Sequence, residues 1–429
     1  MKIWLINIGE QIPSDPGTPR LLRTGILAQH LVERGHDVTW WNATVNHQEK
    51  IQRFPRTTIR DTPEGYRMIQ LYGRLYQRNI SPGRILSLIE NAREFKRIAP
   101  QEERPDVILC GYPSIELAKA ATEFAIGYDI PIAIDFRDMW PDVFEERIPK
   151  PLRWSGKVLF AHWRQDLRFC ARHATGVTGI TDAFVDWAVN QGERNRGNFD
   201  RPFHLAVNPQ TPDDTAILEA EEFWNDAGIP NNDDAIVGCF AGVLSKRLDL
   251  QTLIVSAKKL PEDLKDKIRL VFCGRGDMHE ELCAMAGDEP HILFAGWRNA
   301  AELNVLLRRS HFGILPYPST KDFQMSYPNK LGEYFSAGLP VMTGLKGITR
   351  SLLGERDLGY FYAEGNADSV TRCLTNMLAD KSKISLKREP ALQAYRELFD
   401  GAQIYPAFCD YLEELAHHTG KANGSETNE

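Results

Sequence analysis

Lys330 and Glu333, three residues apart in the stretch SYPNKLGEYFSAGLPVM (326–342), are the first side chains whose types and spacing suggest chemistry. Helical periodicity puts them on one face with Ala337, and puts Leu331, Tyr334 and Phe335 on an apolar face. Pro328 favours a first helical turn, which makes Tyr327 the cap position, and tyrosine caps poorly. A cation at that end of a helix is disfavoured by a few tenths to ~1 kcal/mol, and an anion lying there reverses the penalty. The plainer reading is a surface ion pair worth ~0.2–0.5 kcal/mol.

Other candidates follow short apolar runs. FAGVLSKRLDL places Gly242 after one run and Ser245, Lys246 and Arg247 in the loop beyond. Such a loop cradles a diphosphate through its amides and a cation. FCGRGDMHEEL offers a similar turn at Gly274 and Gly276, and FAGW sets Trp297 where a ring or backbone edge receives a base. In IDFRDMWPD, Asp138 is placed to orient a hydroxyl or take a proton. Together with Asp135 and Asp142 it offers oxygen ligands to a hard cation, although Arg137 competes, and a salt bridge with Asp138 as helix cap is a further reading. NIGEQIPSDPGTPRLLR has Gly9 and Gly17 for a close backbone approach, with Arg20 and Arg23 at a helix start that favours an anion. It lacks the GxGxxG spacing of a dinucleotide site.

These loops need a scaffold. KIWLINI, HDVTWWN, PDVILCGY, PIAIDFRD and HATGVTGI read as strands separated by helices, a parallel sheet covered on both faces. After Pro202 and the polar stretch 208–214 the alternation restarts with AIVGCFAG, IRLVFCGRG, HILFAGW, FGILPY and LPVMTG, with helices expected over 250–260, 279–286 and 300–309. The chain is thus two Rossmann-like α/β domains, over 1–207 and 208–394, then a closing helix within 395–418 and a disordered tail, 419–429. Ligands bind beyond the carboxyl ends of parallel strands, so a cleft between the domains is the expected site.

A chain of 429 residues, 42% hydrophobic and 25% charged, carries enough apolar residues for two cores. A formal net charge of −7 argues against nucleic acid as the main partner. The seven cysteines form no CxxC pair, as suits small buried residues in a reducing compartment. MKIWLINIG reads as a first strand and not a secretory signal, and no run reaches the ~18 apolar residues of a membrane span. Two segments, GRLYQRNISPGRILSLIENAREFKRI and PLRWSGKVLFAHWRQDLRFCARH, mix basic and aromatic residues, including Arg153, Lys157, Arg164 and Arg168. They suit peripheral contact of the N-terminal domain with an anionic membrane.

PNKLGEYFSAGLPVM resembles the donor-site motif of the retaining glycosyltransferases of family 4, which have the GT-B fold of two Rossmann-like doubly wound domains facing across a cleft. IDFRDMWPD resembles the DLWP element of bacterial members acting on surface polysaccharides, and GYPSIELA and RGHDVTWW fit the same pattern. The resemblance implies an acceptor-side N-terminal domain and a C-terminal domain holding a nucleotide-sugar, a UDP-sugar in preference to a GDP-sugar. By that resemblance Glu333 binds the ribose and Lys330, with Asn329 beside it, the diphosphate. Gly242 with Lys246 or Arg247 binds the phosphates, Gly17 and Gly274 approach the donor, Trp297 lies near the base, and Asp138 and Lys330 are the catalytic candidates. It further implies retention of configuration without a metal or other cofactor, and a glycan or lipid-linked acceptor on the cytoplasmic membrane face, in polysaccharide or lipopolysaccharide synthesis. Three positions depart from the family pattern: Met325 stands where many members have a second glutamate, Val243 where many have arginine, and a first-domain histidine has no counterpart unless Asp138 replaces it. A sugar-nucleotide epimerase of the same architecture, or a catalytically silent nucleotide- or carbohydrate-binding subunit, are the alternative readings.

Overall fold

The structure, a computed structural model, describes residues 1–17, 20–146, 148–209, 212–229, 231 and 235–418; the expected tail, 419–429, lies outside the described residues. The chain forms two compact units. One is Met1–His204 with the segment from Ala402 onward, and the other is Leu205–Gly401.

In the first unit the described strands are β1 (Lys2–Ile6), β2 (Asp37–Ala43), β3 (Val45–Asn46), β4 (Ile51–Gln52), β5 (Thr58–Asp61), β6 (Arg67–Leu71), β7 (Val107–Tyr112), β8 (Ile132–Phe136), β9 (Gly176–Gly179) and β10 (Arg201–Pro202). Eight of them make one sheet, ordered β10-β9-β8-β7-β1-β2-β6-β5, while β3 and β4 pair separately. Pairing in the eight-stranded sheet is parallel except at β5, which runs antiparallel to β6, and β3 pairs antiparallel with β4. Every residue of VILCGY and of IAIDF is buried, because helices cover both faces of a parallel sheet. The helices used below are α1 (Arg23–Glu33), α2 (Pro82–Ile98), α3 (Ile115–Tyr128), α4 (Asp142–Glu145), α5 (Arg153–Leu159) and α6 (Ala161–His173). α2 starts on Ser81, whose hydroxyl accepts the Arg84 amide, with Pro82 at the first helical position. The C-terminal helix Gly401–His417 belongs with this unit from Ala402 onward, stacking Phe408 on Phe203 at 4.0 Å. The order of strands reverses between β1 and β7, so the loops after those two strands diverge and open a crevice.

The second unit carries β11 (Ile236–Ala241), β12 (Ile268–Cys273), β13 (Ile292–Gly296), β14 (Phe312–Leu315), β15 (Val341–Thr343) and β16 (Gly359–Phe361) in an all-parallel sheet, β13-β12-β11-β14-β15-β16. Alternation divides its strands between two cores: Ile236 and Phe240 face one, Val237, Cys239 and Ala241 the other. Here the order reverses between β11 and β14, which puts the loops 242–249 and 316–328 at the crevice.

Candidate functional site

In the second unit the helix Asn329–Ser336 is fixed at that reversal by Tyr334. Its buried hydroxyl donates between the carbonyls of Cys239, on β11, and Ile314, on β14, at 3.2 and 3.0 Å. Gly313 makes room, since a Cβ there would stand 2.2 Å from the Tyr334 ring. Leu331 and Phe335 are fully buried on the same apolar face. The cap position is Pro328, at φ −57° and ψ 140°, and not Tyr327 as expected. Proline already has the φ of a helix start but no side-chain acceptor, so the first turn has no side-chain cap.

On the opposite face Lys330 Nζ lies 2.5 Å from Glu333 Oε2, with the side chains only 18% and 20% exposed. This is more than a surface pair. Removing most of the solvent strengthens the attraction and makes each charge costly to leave alone. Glu333 also acts on Tyr317: burial pushes that phenol up to about 12, Glu333 adds to the push and Arg247 opposes it.

The loop after β11 brings further cations to this edge. Lys246 and Arg247 are exposed; Arg247 lies 3.7 Å from Asp322 and over the Phe323 ring. The loop is stitched down by Gly242 N to Cys273 O, Leu244 N to Arg275 O and Asp249 N to Pro316 O. Gly274, at φ +137°, explains its own identity, because a Cβ would stand 1.8 Å from the Gly242 carbonyl oxygen. Its glycine is required by loop-on-loop packing. Trp297 projects beyond β13 and is 60% exposed, on the far side of β12 from the reversal. Asn329 is exposed at the helix start, and Met325 is half-buried directly after the short helix Lys321–Gln324. A depression absent from the sequence reading lies beyond β15 and β16, lined by Asp249, Lys346, Arg350 and Glu364. Glu364 accepts the Ser319 amide, tying the loop after β16 to the loop after β14.

In the first unit the crevice holds a pocket of about 240 Å³ at the ends of β1, β2, β7 and β8, lined in part by Gly9, His47, Tyr76, Arg84, Asp138 and Trp140. Asp138 is held by the Met139 amide at 2.8 Å and the Trp140 indole at 3.1 Å. His47 Nδ1 lies 2.6 Å from the Tyr76 hydroxyl. Burial, then the charges of Arg84 and Lys50, lower its pKa to about 4, so the ring is neutral at pH 7. Sequence patterning missed His47, Tyr76 and Arg84 as a group: Tyr76 and Arg84 share the stretch 73–98, but His47 joins them only through the fold. Gly17 sits on an exposed turn at φ +83° and does not line this pocket.

Two expectations for this unit change. Arg23 does not await an anion: it is buried, bonded to both Asp135 oxygens and to the carbonyls of Phe203 and His204. The anion at the start of α1 is the chain's own Glu10, which accepts the Thr24 amide and hydroxyl. Nor do Asp135, Asp138 and Asp142 converge on a cation. Asp135 is held by Arg23, Arg137 and Thr178, and Asp142 by Arg164 and Trp187. Arg164 is thereby an internal ion pair, with Glu145 as a second partner, and Arg168 pairs with Glu193. The exposed apolar residues lie earlier, at Leu152, Trp154, Val158 and Leu159. Among the described residues no helix is long and apolar enough to cross a membrane.

Comparison with known proteins agrees with this architecture. The family model "Glycosyl transferase 4-like domain" matches residues 23–197, and "Glycosyl transferases group 1" matches 223–395. The structure is similar to sucrose-phosphate synthase from Thermosynechococcus elongatus, with a TM-score of 0.71 at 14% identity over 96% of this chain and 98% of that one. It is also similar to Anabaena HepE in complex with UDP, with a TM-score of 0.62 at 14% identity over 96% and 100%. A third is WaaG, a glycosyltransferase involved in lipopolysaccharide biosynthesis, with a TM-score of 0.62 at 15% identity over 96% and 99%. A comparison with curated protein sequences gave no match. The two family matches fall one in each compact unit and together span most of the chain, which belongs to the family 4-like glycosyltransferases of GT-B fold.

Proposed function

We propose that this glycosyltransferase moves a sugar from a UDP-sugar to a lipid-linked or oligosaccharide acceptor, with retention of configuration, in bacterial polysaccharide or lipopolysaccharide synthesis. The observation that carries the reading is the Lys330–Glu333 pair, mostly buried and pinned by Tyr334 to the reversal point of the second sheet. A nucleoside diphosphate supplies partners to both ends of that pair: phosphate oxygens to Lys330 and ribose hydroxyls to Glu333. The UDP and UDP-glucose complexes of HepE support uridine as the base, and the role of WaaG supports a cell-surface glycan as the product class.

In this reading Lys330, Lys246 and Arg247, with the amides of the loop after Gly242, stabilise the charge that develops on the leaving diphosphate. The C1–O bond to the diphosphate breaks and the acceptor oxygen bonds C1 on the same face, its proton passing to the departing phosphate. No metal is needed, because fixed cations and amides do the work of a Lewis acid. Asn329 and Gly274 border the phosphates, and Trp297 the base. Asp138, oriented by its amide and indole bonds, positions the acceptor hydroxyl. Peripheral membrane contact is made by the basic, apolar segment 150–160. Incubating the protein with UDP-sugars and a lipid-linked saccharide tests the reading: a product with the donor's anomeric configuration, formed in the presence of a chelator, is expected. Inversion or strict metal dependence would overturn the corresponding part.

A further inference from the structure

The first unit contains a second, mostly apolar cavity beside the pocket that holds Asp138. It is a groove of about 620 Å³ lined in part by Ile85, Ile89, Leu159, Phe160 and Trp163. Helix α2 is the partition. Arg84, Ser87, Leu88 and Asn91, spaced i, i+3, i+4 and i+7, face the pocket, while Ile85, Ile89 and Ala92 face the groove. Across from α2 the wall is aromatic: Trp140 of the pocket stacks on Trp163 of the groove at 5.9 Å.

Arg84 lines the Asp138 pocket, next in sequence to Ile85 of the groove. Its guanidinium sits 4.9 Å from the centre of the Trp140 ring, and Nη1 donates to the Asn79 carbonyl at 2.8 Å. Its Nε is buried without a hydrogen-bond partner. Other shielded arginines of this unit touch carboxylates, as Arg53 does Asp15, Arg137 does Asp135 and Arg194 does Asp200. Arg84 makes no ion pair at contact distance among the described residues; burial lowers its pKa, against the opposing pull of the Tyr76 hydroxyl and of the Asp138 charge in the same pocket. A cation desolvated with no carboxylate in direct contact favours an external anion. Beyond the groove, 150–160 exposes Trp154 (68%), Val158 (71%) and Leu159 (71%), and its only charged residues are Lys150, Arg153 and Lys157.

We infer that the first unit binds a long-chain lipid phosphate, with its phosphate at Arg84 and its apolar chain in the groove between α2 and α6. One molecule that satisfies both cavities needs an anionic head joined directly to an apolar tail. The basic segment 150–160 complements the anionic surface from which such a lipid is drawn. This deepens the reading of the first unit as the acceptor side by naming the acceptor as lipid-linked, and it rests on that reading.

The test uses the full chain, below the micelle concentration, with farnesyl phosphate, farnesol and inorganic phosphate as probes and Trp140 and Trp163 fluorescence as the signal. Farnesyl phosphate is expected to bind at least tenfold tighter than either farnesol or phosphate. Arg84→Gln should lose that tenfold advantage for farnesyl phosphate and leave farnesol unaffected. Leu159→Ser, at an exposed position that tolerates the change, should weaken both lipids. Equal affinity for farnesyl phosphate in wild type and Arg84→Gln, or no preference over inorganic phosphate, would overturn the inference. Should Arg84→Gln not fold, geranyl phosphate binding as tightly as farnesyl phosphate to wild type would overturn it equally. UDP calorimetry on the same samples separates the two readings. UDP binding without farnesyl phosphate binding sinks this inference alone, whereas the reverse result sinks the donor assignment and leaves this one standing.

Discussion

Tyr334 and His47 show how much a single side chain does in each crevice. The Tyr334 hydroxyl bridges two carbonyls on adjacent strands in a fully buried place. Tyr334→Phe leaves those carbonyls without that donor and should cost ~1–3 kcal/mol, read as a shift of the urea midpoint at unchanged slope. His47 predicts a pH effect. Its folded pKa of about 4 lies below the ordinary 6.5, so the folded state binds fewer protons than the unfolded one. Stability from this group is complete above pH 6.5, falls as pH drops towards 4, and changes no further below it. His47→Gln should flatten that part of the stability–pH curve measured by urea denaturation; an unchanged curve would show that the ring titrates normally. The sequence disclosed Lys330 and Glu333 because both lie on one short helix. It could not disclose His47 and Arg84, since the turn after β3 and the start of α2 meet only in the folded unit.

Elements were legible where burial is uniform. VILCGY, IVGCFA and the helices 279–286 and 300–309 fall where apolar runs and helical periodicity put them. β6 was not foreseen: Arg67 and Gln70 interrupt its apolar run, yet Met68 to Leu71 are buried between β2 and β5. Nor did pattern separate the two ends of the basic segment, because which arginines meet α4 depends on tertiary packing. Arg164 does so and Lys157 does not. Sedimentation with anionic vesicles should therefore show full-length protein bound and Arg153→Gln with Lys157→Gln released. The expected loss is ~1 kcal/mol per charge, near thirtyfold together; equal sedimentation would contradict the assignment of 150–160. Gly274→Ala tests the loop scaffold. A Cβ cannot fit 1.8 Å from the Gly242 oxygen, so the variant should melt earlier, by ~2–4 °C for each kcal/mol lost.

At the scale of the whole molecule, two sheets each reverse strand order once, and each reversal gathers the polar residues that no local pattern links. The two-domain organisation was readable from repeated alternation of strands and helices. The return of the chain to the first unit at Ala402 was not, because Gln403 to Leu415 shows only an apolar face and not its destination. The central claim is that the second unit holds a nucleoside diphosphate through Lys330 and Glu333. Calorimetric titration of UDP into wild type and Glu333→Ala tests it most directly. Wild type should bind UDP and the variant should lose ~1.5–3 kcal/mol, roughly ten- to a hundredfold, as ribose hydroxyls lose a charged acceptor. Equal affinity of the two proteins for UDP would contradict it.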